Sequence, residues 1–147
     1  MADERGTTGT LTKEERDAVK QRAKELREQE KAGKSREAGT AAVLDAIAKL
    51  GDSDRAIAEG LHKVVTEVAP DLVPKTYYGM PGYANSDGKI VVFNQPAGKF
   101  KVRYGTVVFE DRANLDDGDM WPMGYAVINW TPEVEKKISE LVKKAVS

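Results

Sequence analysis

"KIVVFNQPAGKFKVRYGTVVF", Lys89 to Phe109, decides how the chain folds. Its two ends, "KIVVFNQ" and "FKVRYGTVVF", are rich in β-branched and aromatic residues and read as strands. Just ahead of it, "SDGK" supplies an Asp-Gly pair, the dipeptide that closes tight hairpins, so the earlier strand-like piece "KTYY" joins the same sheet. "YAVIN", Tyr125 to Asn129, supplies a last strand. The pieces follow one another at short intervals, which predicts an antiparallel meander.

On both sides of this block the period changes from two to 3.6. Upstream, Val43, Leu44, Ile47 and Leu50 describe a short amphipathic helix ended by Gly51. Asp52 or Ser53 then caps a second helix, in which Ile57, Leu61, Val64, Val65 and Val68 share one sector before Pro70 stops it. Downstream, Thr131-Pro132 pairs a capping residue with a proline at the first helical position. The helix that follows buries Val134, Ile138, Leu141, Val142 and Ala145; Glu133 and Glu135 in its first turn and Lys143 and Lys144 in its last complement its dipole. Helices first, strands in the middle and a helix last give an α+β fold, with a sheet of about four or five strands.

Farther upstream, Thr12 and Glu15 form a capping box that opens "TKEERDAVKQRAKELREQEKAGK", nearly all good helix formers. Only Val19, Ala23 and Leu26 make an apolar stripe on this charged helix, which is bounded at 11–33 and offers one narrow face to the body or to a partner. "GKSREAG", Gly33 to Gly39, reads as a short polar connection, and Met1 to Thr10 as a loose tail. The organisation is therefore a tail at 1–10, a charged helix at 11–33 and one domain at 40–147.

With 147 residues the chain is long enough to bury a core without disulfides or a structural metal. It has no cysteine, which excludes thiol nucleophiles, CxxC redox motifs and thiolate zinc sites. Its 23 basic and 24 acidic residues leave a net charge of -1, so no overall field steers it to nucleic acid or to anionic lipid. Without a membrane-length apolar run or a secretory start, the expected setting is the cytoplasm. Nucleophile elbows, Walker loops, H-E-x-x-H and dinucleotide fingerprints are absent from the sequence, which speaks against an enzyme of a motif-bearing class.

Four groups of residues remain as site candidates. "TYYGMPGY", Thr76 to Tyr83, brings aromatic rings to a glycine-proline bend. There Tyr77, Tyr78, Met80 and Tyr83 could join Phe93, Trp121 and Met123 in an apolar wall for a small molecule or a protein partner. The same composition also serves a plain core. Lys99, Lys101 and Arg103 alternate with Phe100, Val102 and Tyr104, so an extended strand would show cations on one face, either as a weak anion site or as edge protection. Asp116, Asp117 and Asp119 lie in the most acidic window, "FEDRANLDDGDMW". They offer oxygen ligands to a hard cation, or form a solvated turn. His62 follows Glu59 at i+3 in "EGLH", a spacing that di-iron helices use in pairs. One copy at the border of an apolar sector reads as an exposed structural histidine.

In this order, "YYGMPGY", "KIVVFNQPAGKFKVRYGTVVF" and "NLDDGDMWPMGYAV" resemble the YdhG-like family, known as domain of unknown function 1801, over roughly Val43 to Val146. The acidic-Trp-Pro loop and the charged first helix look like an actinobacterial subgroup. The resemblance implies a small α+β domain with a curved antiparallel sheet packed on helices. Because a member has been described as a frataxin-like iron chaperone, it also implies iron as a candidate cargo. The leading expectation is a non-enzymatic binding module, with iron delivery as the alternative.

Overall fold

A computed structural model describes residues 12–147. The tail expected at 1–10 lies outside the described residues. The chain divides into two compact units, Met1–Glu37 and Ala38–Ser147. In the first, the capping box forms as the sequence predicts: Thr12 N–H donates to Glu15 Oε1 at 2.8 Å, and Glu15 N–H donates to Thr12 Oγ1 at 3.0 Å. The bond from the Thr12 backbone, followed by donation from its hydroxyl to the carboxylate, holds the Glu15 carboxyl below its ordinary pKa. Val19 and Leu26 of the narrow stripe are exposed.

The helix opened by that box, α1, spans Lys13–Ala48 without a break. This differs from the polar connection expected at Gly33 to Gly39. Gly33 faces open space, and its helical cost of about 1 kcal/mol is absorbed within a long run of good formers. Gly39 has a different cause. A Cβ there would stand 2.0 Å from the Pro74 carbonyl oxygen, so the residue is glycine because another backbone passes against the helix. Such a close approach looks like a chain break when only the sequence is read.

The second unit holds the core. Helix α2, Asp52–Val68, starts from Gly51 as N-cap and makes no side-chain cap bond, unlike the expected Asp52 or Ser53 cap. Arg55 instead closes the turn between the helices, donating to the Leu50 carbonyl at 3.1 Å and to Asp52 at 2.8 Å. The strands are β1 Val73–Pro74, β2 Gly82–Ala84, β3 Ile90–Gln95, β4 Gly105–Phe109 and β5 Gly124–Val127. A four-residue helix, α3 Ala97–Phe100, lies between β3 and β4, and α4 spans Pro132–Ala145. The strands pair in sequence order as an open five-stranded antiparallel sheet. The α+β reading and the meander hold.

Register sorts the side chains between faces. Tyr83 opposes Val92, which opposes Phe109, and Asn94 opposes Val107, which opposes Tyr125. Directly opposed residues share a face. This face packs on Val43 and Ile47 of α1, Ile57, Leu61, Val64 and Val65 of α2, and Ile138 and Val142 of α4, forming the hydrophobic core. The other face carries Gly82, Phe93 and Val108 in one row. An irregularity between Tyr83 and Ala84 shifts the ladder, so that Val91 as well as Val92 joins the core cluster. On the last helix, Thr131 Oγ1 accepts from Val134 N–H at 3.2 Å with proline next in line, as the sequence predicts.

Candidate functional site

The corner at "TYYGMPGY" is a hairpin of unusual economy. Lys75 N–H donates to the Gly82 carbonyl at 2.9 Å, and Tyr77 and Met80 exchange both backbone bonds, at 2.8 and 2.9 Å. Only Tyr78 and Gly79 are left to turn the chain, with φ of 50° and 77°. Positive φ at both central positions is the type I′ requirement, which Asn-Gly ordinarily fills. A tyrosine in the left-handed region costs about 1 kcal/mol or more, because its Cβ crowds the following carbonyl.

No burial offsets that cost, since Tyr78 is 80% exposed. Its ring meets Tyr77 edge-on at 4.7 Å, and Tyr77 in turn packs on Phe93 at 4.9 Å. From α3, Lys99 Nζ donates to the Tyr78 carbonyl oxygen at 2.6 Å and holds the tip from outside. Asp54 steadies α3 by accepting from Gly98 N–H at 3.0 Å. An aromatic ring thus stands proud on a strained turn, backed by two further rings and clamped by a lysine.

The predicted apolar wall does not assemble as one surface. Tyr77 and Phe93 touch on one side of the sheet, whereas Tyr83 is fully buried on the helix-covered side. Alternation of side chains along a strand separates them. Met80 is buried beneath the hairpin. Trp121 and Met123 lie just before β5, with β3 and β4 between them and β2, roughly 14 Å away at ordinary strand spacing. Trp121, Met123 and the neighbouring Met120 are exposed.

The cationic stripe is also corrected. Lys99 belongs to α3, Lys101 ends that helix in the left-handed conformation with φ 55°, and Arg103 precedes β4, which begins only at Gly105. The three cations therefore do not alternate along one strand. Pro96 and Gly98 were the available signal: both punctuate a strand pattern, and Pro96 serves as N-cap of the short helix.

The acidic window does not fit a metal site. Asp116, Asp117 and Asp119 are all exposed. Among the described residues, no group of three or more His, Cys, Asp or Glu side chains is placed to hold a metal ion. A hard cation needs several oxygens converging on one point, and a turn that spreads its carboxylates outward supplies none.

His62 is half-buried and not simply exposed, and Glu59 and Thr66 lie farther toward solvent. Its Nδ1 is 2.9 Å from the Tyr83 hydroxyl, with ring centroids 5.8 Å apart. Burial lowers the His62 pKa and raises that of Tyr83 far above the ordinary phenol value. A second polar link joins α2 to α4. Trp130 Nε1–H donates to Glu135 at 3.1 Å, and Lys63 Nζ reaches the same carboxylate at 3.5 Å. The Trp130 bond is the main cause of a lowered Glu135 pKa. Gly60 makes room for this arrangement, because a Cβ there would lie 2.1 Å from the Trp130 indole. Helical spacing alone does not reveal that pairing.

No family model, curated protein or solved structure matches this chain. Among the described residues, no helix is long and apolar enough to cross a membrane.

Proposed function

We propose that the chain is a non-enzymatic binding domain, and that its contact surface centres on the hairpin tip at Tyr78, with a protein as partner. The observation that carries this reading is the strained and exposed Tyr78 ring. Backbone strain that folding does not require collects at binding sites, and tyrosine is among the residues that dominate the energy of protein interfaces. A small molecule is better served by a concavity, whereas this ring is a projection that fits a pocket on another surface.

The proposal includes a YdhG-like domain, supported by the motifs that resemble that family. The iron-delivery alternative draws no support from the acidic loop, whose carboxylates do not converge.

A photo-crosslinking phenylalanine analogue placed at position 78, and as control at the exposed position 136 of α4, tests the reading in cells of the protein's own source. A discrete adduct from position 78 alone, weakened when Lys99 is changed to Ala, is the expected result. Identical adducts from both positions would remove the hairpin as a contact surface.

A further inference from the structure

A second feature lies on the helix-covered side and does not depend on the hairpin. Between α1 and α2 runs an open groove of about 430 Å³. One wall is apolar, built from Leu44, Ile47 and Ala48, and Leu44 is 48% exposed although it belongs to an amphipathic face. The other wall is polar and comes from one side of α2: Arg55, Glu59, His62 and Lys63. The volume falls in the range of small-ligand sites.

The Tyr83 hydroxyl fixes what His62 presents to this groove. Either group can donate across the 2.9 Å contact, but among the described residues the buried phenol has no other bonded acceptor, so the arrangement that satisfies its proton has it donate to Nδ1. A neutral imidazole that accepts at Nδ1 carries its proton at Nε2. Among the described residues nothing bonds Nε2, so the ring offers the groove a fixed N–H donor.

Lys63 adds an ammonium whose contact with Glu135, at 3.5 Å, leaves donors free. Arg55 adds a second positive charge, although its guanidinium already holds Leu50 and Asp52. Both cations already face carboxylates outside the lining, Arg55 on Asp52 at 2.8 Å and Lys63 on Glu135 at 3.5 Å, so the wall offers an anion free donors and no net positive charge, and Glu59 is the acid in the lining that opposes one.

We propose that this groove binds a small carboxylate bearing a short apolar chain, with the carboxylate on His62 Nε2–H and the Lys63 ammonium and the chain along Leu44 and Ile47. The apolar wall selects for the tail and the donors for the head, so neither an alcohol of equal length nor an amine satisfies both.

The test titrates octanoate, octanol and octylammonium into the full chain labelled with ¹⁵N, following backbone shifts along α1 and α2 and the His62 ring nitrogens. Before ligand is added, the ring shows the Nε2–H tautomer. Octanoate then gives saturable shifts below about 10 mM, with the other two probes about tenfold weaker or more.

His62→Ala weakens octanoate about tenfold or more, as expected for a hydrogen bond to a charged group. His62→Gln, which retains a donor, restores part of the loss. Glu59→Gln tightens binding. Tyr83→Phe releases the tautomer, which the ring nitrogen shifts report directly, and weakens octanoate without abolishing it.

Octylammonium binding as tightly as octanoate, unchanged octanoate binding in a folded His62→Ala chain, or no saturable shift by about 10 mM would each overturn the assignment.

Discussion

Two hairpin turns in the same sheet solve the same geometric problem in opposite ways. Between β2 and β3, Asn85 Oδ1 accepts from both Asp87 N–H and Lys89 N–H at 3.0 Å, and Gly88 alone takes positive φ, at 77°. Every residue there suits its conformation, as turn chemistry requires. Between β1 and β2, Tyr78 takes a conformation that asparagine or glycine would occupy at less cost, and a lysine from α3 holds its carbonyl. The first turn is explained by folding alone. The second is not, and such local conflicts in otherwise consistent sequences tend to mark functional positions.

Substitutions sharpen the contrast in a definite order. Gly79→Ala is the most damaging, costing about 2 kcal/mol, because an L-residue at positive φ is strained and its Cβ also displaces the lysine clamp. Gly88→Ala has the same φ, but its Cβ would meet only Lys75 Nζ at an ordinary 3.8 Å, and it is expected to cost about 1 kcal/mol. Urea denaturation of both variants measures the gap, and a larger loss at Gly88 would mean that Lys99 does not brace the tip.

Asn85→Ala removes the acceptor of two backbone N–H groups and should lower stability by about 1 kcal/mol. Lys99→Ala, on an exposed surface, should cost about half of that. Tyr78→Asn is expected to leave stability unchanged or to raise it by up to about 0.5 kcal/mol, since strain relief slightly exceeds the lost ring contact. A clear drop in melting temperature for Tyr78→Asn would make the ring structural and end the analogy with a functional knob.

The smallest effect concerns pH. Folding lowers the His62 pKa from its ordinary 6.5, so below that value the unfolded chain binds more protons than the folded one. The contribution is complete above pH 6.5 and is lost as the pH falls through and below it. Denaturant midpoints measured from pH 8 to about 5 should decline less in His62→Gln than in the parent, and equal slopes would place the titration elsewhere.

Much of the architecture was legible because period and punctuation agreed. The sectors of α2 and α4, the Thr131-Pro132 start, the Thr12–Glu15 box and the Asp-Gly turn are local signals with local causes, although that turn joins Gly82–Ala84 to β3, whereas "KTYY", expected as the strand, runs into the tip of the preceding hairpin. The failures came where a remote part of the chain sets a residue's role. Gly39 looked like a break because its reason, the Pro74 backbone, lies far along the chain. The Lys99 to Arg103 run alternated like a strand, but Pro96 and Gly98 divert it into a helical turn.

At the candidate site, the sequence marked the aromatic corner but not its geometry. Alternation sends Tyr83 and Phe93 to opposite faces, and that outcome depends on register, which composition does not carry. Asn94 was likewise unforeseen. It is 1% exposed in the central strand, and its Nδ2 donates to the Thr106 carbonyl at 3.2 Å.

The contact between Gly60 and Trp130 gives the protein a built-in optical probe. Of the two indoles in the chain, one is wedged against α2 and bonded to Glu135, while the other, Trp121, is 37% exposed ahead of β5. Emission from Trp130 reports whether α2 and α4 remain packed, whereas iodide reaches Trp121 first and quenches it. In a Trp121→Phe chain the remaining fluorescence follows the helical layer alone, so loosening of that layer can be timed separately from events at the edge of the sheet.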